Sequence, residues 1–74
     1  MNLNNARWRK VTDVDREYAL FELLINDEIL LDIGYSDDQV FEVLFGRLCF
    51  GIKIDWDFLR DLIEEGRRLA DADK

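Results

Sequence analysis

A chain of 74 residues with 17 acidic and 10 basic side chains fits one domain, and a domain this short buries only about 60% of the surface its unfolded form exposes. Its net charge of −7 repels nucleic-acid phosphates over a range of about 8 Å at physiological salt, which argues against nucleic acid as a partner. Apolar residues make up 49% of the chain and are spread from Trp8 to Leu69, which excludes a disordered polymer and leaves more apolar surface than one small core hides.

The chain opens with a basic group, Arg7, Arg9 and Lys10, around an isolated Leu3 and Trp8. No unbroken apolar run follows, so the segment does not read as a secretory signal, and a cytoplasmic protein is expected. Acidic residues interrupt every apolar run well short of the roughly 20 residues that span a bilayer, so no membrane role is expected. Residues 1–16 read as a loosely packed arm of a single domain covering 1–74. Cys49 is the sole cysteine, which rules out an internal disulfide and suggests a buried thiol.

From Tyr18 onward, turn-forming clusters fall at Asn26-Asp27-Glu28, Ser36-Asp37-Asp38 and Gly46-Arg47, close to ten residues apart, with β-branched and aromatic residues between them. An all-α bundle is the competing organisation, because Tyr18, Phe21, Leu24 and Ile25 also lie at helical spacing and Ser36 with Gln39 resembles a capping box. Strand register decides between the two. A three-residue loop that sets Ile25 against Ile29 also sets Leu23 against Leu31 and Phe21 against Ile33. With residues 36–38 as the next loop, Ile33 meets Phe41, Leu31 meets Val43 and Ile29 meets Phe45. A Gly46-Arg47 turn then sets Phe45 beside Leu48 and Val43 beside Phe50. All of these residues share one face, whereas a long first helix would show apolar residues on nearly every side.

Asp55 is placed to cap a C-terminal helix over residues 56–72, with Trp56, Leu59, Leu62, Ile63 and Leu69 on one side. Gly66 falls where that side meets the sheet; it either admits a close approach or ends the helix early. The expected fold is therefore α+β: an antiparallel β-meander of about four strands with one C-terminal helix packed on the face carrying Phe21, Leu31, Val43 and Phe50.

Chemistry is mostly eliminated by residue type. The chain has no histidine, one serine (Ser36) and one threonine (Thr12), so it cannot build a serine–histidine triad, a cysteine–histidine pair or a histidine-based zinc site. Its four glycines, Gly34, Gly46, Gly51 and Gly66, form no phosphate-cradling loop. The pairs Asp13/Asp15, Asp55/Asp57 and Asp71/Asp73 lack the spacing of a calcium loop, and helix capping accounts for Asp55/Asp57. No catalytic residue, cofactor or metal ligand is assigned, and the chain is not expected to be an enzyme.

One constellation remains. In the strand register Glu22 faces Asp32 and Asp32 faces Glu42, a row of like charges on strands about 4.8 Å apart, which destabilises a sheet unless something answers it. Leu20, Leu24, Leu30, Val40 and Leu44 surround the row on the face turned away from the helix. Either the basic arm folds over this face, with Trp8 filling its apolar part and Arg7, Arg9 or Lys10 answering the carboxylates, or the face docks a basic protein. A homodimer is the further alternative, since leftover apolar surface on a small domain is commonly hidden in a symmetric pair. Small size, acidity and lack of catalytic residue types are shared with bacterial immunity, antitoxin and inhibitor proteins; this is an analogy of composition that favours a protein-binding role.

Overall fold

Asn26 and Asp27 both adopt left-handed backbone, with φ of 53° and 66°, and so make the tight two-residue turn whose twist matches that of a strand pair. A computed structural model of the protein describes residues 5–46 and 51–74. In it four strands form one antiparallel sheet in the order β1-β2-β3-β4: β1 Ala6–Val11, β2 Leu20–Ile25, β3 Glu28–Tyr35 and β4 Phe41–Phe45. Helix α1, Trp56–Asp73, packs over β2 and β3, so the fold is the expected α+β meander with one C-terminal helix.

The β2–β3 register agrees with the sequence where it matters most: Phe21 faces Ile33, Glu22 faces Asp32 and Leu23 faces Leu31. At the turn it differs. Ile25 pairs with Glu28 rather than Ile29, because the Asn-Asp turn takes two residues instead of three. An irregularity beyond Leu23 restores the register by leaving Leu30 as an extra residue in β3, a β-bulge that sends both Leu30 and Leu31 into the core. Ile29, expected inside, is in consequence 39% exposed.

The β3–β4 register is displaced by two residues, with Ile33 facing Val43 and Leu31 facing Phe45. Here the three-residue loop is 37–39. The Ser36 carbonyl accepts the Gln39 N–H at 2.8 Å, its hydroxyl accepts the Val40 N–H at 3.2 Å, and Gln39 takes the left-handed position at φ 64°. Moving a loop centre by one residue moves the register by two, which keeps each side chain on its expected face. The proposed turn at Arg47 and the inward residues Leu48 and Phe50, like Cys49, lie outside the described residues.

Among the described residues, the fourth strand lies at the start of the chain. Ala6–Val11 pairs along β2, with Trp8 opposite Leu23 and Arg9 opposite Glu22, so the segment expected as a loose arm is an edge of the sheet. Trp8 therefore lies on the helix side, not on the outer face, and packs against the core.

That core is built from Phe21, Leu23, Ile25, Leu30, Leu31, Ile33 and Tyr35, closed by Ala19 and Ala70. The Asp55 side chain accepts the Phe58 N–H at 3.0 Å and starts the helix as expected. Leu59, Leu62, Gly66 and Ala70 then meet the sheet, while Trp56 and Leu69, expected on the same side, are 66% and 38% exposed. Gly66 is buried because of how closely the helix sits: a Cβ there would stand 2.5 Å from Ile33 Cδ1 and 2.6 Å from Trp8 Cζ2. Among the described residues, the Trp8 Nε1–H has no hydrogen-bond acceptor under this contact.

The carboxy-terminal turn is fastened by acids, although the helix dipole disfavours negative charge at that end. Asp71 accepts a short hydrogen bond from the Tyr35 hydroxyl. Asp73 accepts from Lys10 Nζ at 2.5 Å and from the Ala19 N–H at 3.4 Å, tying α1 to β1 and to the residue before β2. Alanine usually stabilises a helix interior by up to ~1 kcal/mol relative to glycine. Gly66→Ala is expected to do the reverse, lowering stability by ~1–3 kcal/mol through overpacking against the Trp8 ring, read as an earlier urea midpoint with unchanged slope.

Candidate functional site

The outer sheet face is ordered in rows across the strands. Arg9, Glu22, Asp32 and Leu44 make one row, and Val11, Leu20, Gly34 and Glu42 make the next. Glu22 and Asp32 thus meet as expected, but Asp32 faces Leu44, and Glu42 lies diagonal to it, opposite Gly34. The two-residue register shift of β4 is the cause.

The three carboxylates are not equivalent. Glu22 is answered within the chain: Arg9 donates from Nε at 2.9 Å and from Nη2 at 2.5 Å to the same Oε1, and the Glu22 side chain is only 15% exposed. Among the described residues, the carboxylates of Asp32 and Glu42 have neither a hydrogen bond nor an ion pair. Arg16 lies near Asp32, but its guanidinium donates to backbone carbonyls, Tyr35 at 2.9 Å and Tyr18 at 3.3 Å. Partial burial, and secondarily the charge of Glu22, push the Asp32 carboxyl above its ordinary value of 3.8, with Arg16 pulling weakly the other way.

Asp32 and Glu42 share a shallow depression of about 300 Å³ with Arg16, Leu20, Gly34, Val43 and Leu44. A Cβ on Gly34 would stand 3.0 Å from Leu20 Cδ2, so the glycine gives that leucine room. The depression can take a cationic group at its two acids and an apolar one at Leu20 and Leu44.

The rest of the expected face is dispersed. Leu44 is 66% exposed and Val40, in the turn before β4, is 55% exposed. Leu20 is half-buried, Leu24 is buried, and Leu30 belongs to the helix-side core. Arg16, for which no spacing rule gives a signal, went unassigned to this face, whereas Arg9, expected to answer the carboxylates from an overlying arm, does so from the neighbouring strand. Among the described residues, no group of three or more acids and cysteines is arranged to hold a metal ion, and no helix is long and apolar enough to cross a membrane.

No protein-family model, curated protein or solved structure matches the chain.

Because the folded state holds the Asp32 proton more tightly than the unfolded chain, this group lowers stability as pH rises from the ordinary carboxylate value through its raised one, and the loss is complete above that. Asp73 acts oppositely. Hydrogen bonding from Lys10 lowers its value, so its contribution is present above the ordinary value and disappears as pH falls through the lowered one. Asp32→Asn is expected to raise the thermal midpoint near neutral pH and to lose that advantage below pH ~3.8, where Asp32 is protonated in both states. A lowered midpoint at neutral pH would show that Asp32 is paired after all.

Proposed function

We propose that this protein is a non-catalytic protein-binding module. It receives a basic side chain of a partner protein between Asp32 and Glu42 while apolar atoms of that partner cover Leu20 and Leu44. The observation that carries the reading is the unequal treatment of neighbouring acids: Glu22 has Arg9, whereas Asp32 is partly desolvated with no cation bound to it. A carboxylate held in this way gains by meeting an arginine or lysine from outside, since the desolvation has already been met in the fold. The domain's net charge steers a basic surface toward it. Small size, acidity and lack of catalytic residue types are shared with immunity, antitoxin and inhibitor proteins that block a basic partner, an analogy of composition that agrees with this reading. A second reading, a self-associating structural domain, is favoured by the apolar open edge of β4.

Affinity capture from the native cell lysate, with wild type and Asp32→Asn side by side, tests the proposal. A basic protein is expected to be held by the wild type and released by the variant, with a loss of about 2 kcal/mol or more in a subsequent titration and a steep dependence on salt. Identical capture by the two proteins would remove this face as the binding site.

A further inference from the structure

The two edges of the sheet are finished differently. β1 carries Arg7, Arg9 and Lys10, the charged guard that keeps an edge strand from pairing with another chain. β4 reads Phe-Glu-Val-Leu-Phe, with Val43 36%, Leu44 66% and Phe45 61% exposed and Val40 just before it 55% exposed. The helix lies over β2 and β3 and does not extend to cover this strand.

Among the described residues, the backbone of β4 is open as well. The Gly46 N–H donates to the Leu30 carbonyl at 2.9 Å, which fixes the alternation of the ladder: Gly46, Leu44 and Glu42 exchange hydrogen bonds with β3. Phe41, Val43 and Phe45 therefore direct their N–H and C=O groups away from β3, to the side where the sheet order ends.

We infer that a second copy of this chain occupies that edge, β4 pairing antiparallel with β4 about a two-fold axis at Val43. The strand is its own complement in this register. Val43 faces Val43, Phe41 faces Phe45, and Glu42, the one charge in the strand, faces Leu44 instead of another carboxylate. An axis at Glu42 would set like charges opposite each other. Centring on Val43 also lets each open residue exchange both of its backbone hydrogen bonds, about six bonds in all.

The helix side supports the same pairing. Arg67 stands 5.4 Å over the Phe41 ring, and Phe45 opens onto a groove of about 420 Å³ lined by Ile52, Ile54 and Leu59. The two-fold lays the Phe41–Arg67 end of one copy beside the Phe45 end of the other, bringing a guanidinium to a second aromatic ring. This inference does not rest on the binding of a basic partner, because Asp32 lies on β3, away from the open edge.

Sedimentation equilibrium from low to high micromolar concentration, with amide hydrogen exchange on the same samples, tests it. The wild type is expected to pass from monomer to dimer while the amides of Phe41, Val43 and Phe45 gain protection together. Val43→Lys, which sets two ammonium groups on the axis, is expected to weaken the dimer at least tenfold, and Asp32→Asn to leave it unchanged. A monomer throughout, a dimer whose three β4 amides remain unprotected, or a folded Val43→Lys that dimerises like wild type would each overturn the inference. Should Val43→Lys fail to fold, the concentration dependence of exchange in the wild type decides alone.

Discussion

The seat of Gly66 against Ile33 and the Trp8 ring sets the rest of the molecule. A helix about 10 Å across covers two strands spaced about 4.8 Å apart, and among the described residues α1 is the one helix on this four-stranded sheet. The missing Cβ brings α1 down onto β3 and lets Trp8 reach beneath it from β1. One edge strand is thereby fastened to the core by a large aromatic side chain. The opposite edge has no such anchor on its exposed half, so Val43 and Phe45 stay partly bare although they share the core-facing register of Ile33 and Leu31.

Charge completes what this small core begins. Arg9 on Glu22 and Lys10 on Asp73 both join β1 to elements that it must hold, and Tyr35 on Asp71 joins the helix end to β3. Exposed ion pairs such as Arg7 with Asp27 contribute little on their own, generally below ~1 kcal/mol. Their position matters more than their strength: each basic residue of β1 reaches a different element, so the strand is registered along its whole length.

Much of the fold was legible in the sequence because three signals agreed. Alternation in residues 20–45, turn chemistry at Asn26-Asp27 and Ser36, and the Asp55 cap all pointed to one sheet and one helix. Alternation placed Phe21, Leu23, Leu31 and Ile33 on one face, and the assumed three-residue loop gave the central pairs Phe21–Ile33, Glu22–Asp32 and Leu23–Leu31. What stayed hidden came from backbone geometry that side-chain patterns do not encode. The two-residue turn and the Leu30 bulge cancel beyond Leu23, so the central pairs agree while Leu30 moves to the core and Ile29 moves out. Residues 6–11 read as a basic arm because Arg7, Arg9 and Lys10 masked the alternation of Ala6 and Trp8. For the same reason the answer to Glu22 was expected from an arm lying over the face, whereas it comes from the neighbouring strand in the same sheet. The unequal state of Glu22 and Asp32 could not be read without that strand.

Both proposed surfaces involve β4, and this constrains how they can work together. Glu42 and Leu44 line the acidic depression through their side chains, while their backbone groups are already bonded to β3. The open edge uses the backbone groups of the other residues, Phe41, Val43 and Phe45, of which Val43 also borders the depression. Alternation along a strand thus separates the two surfaces chemically, one on side chains of the outer face and the other on backbone groups of the edge. In the Val43-centred register Glu42 of one copy lies beside Leu44 of the other, so a pair of chains would join their depressions into one acidic trough across the two-fold. A basic partner that bridged the trough would meet two copies of Asp32 and would hold the pair together; one that filled a single depression would leave the edge free. Under these two proposals the fold would accommodate a one-to-one complex or a symmetric one, with the shape of the partner, not the charge of this domain, selecting between them.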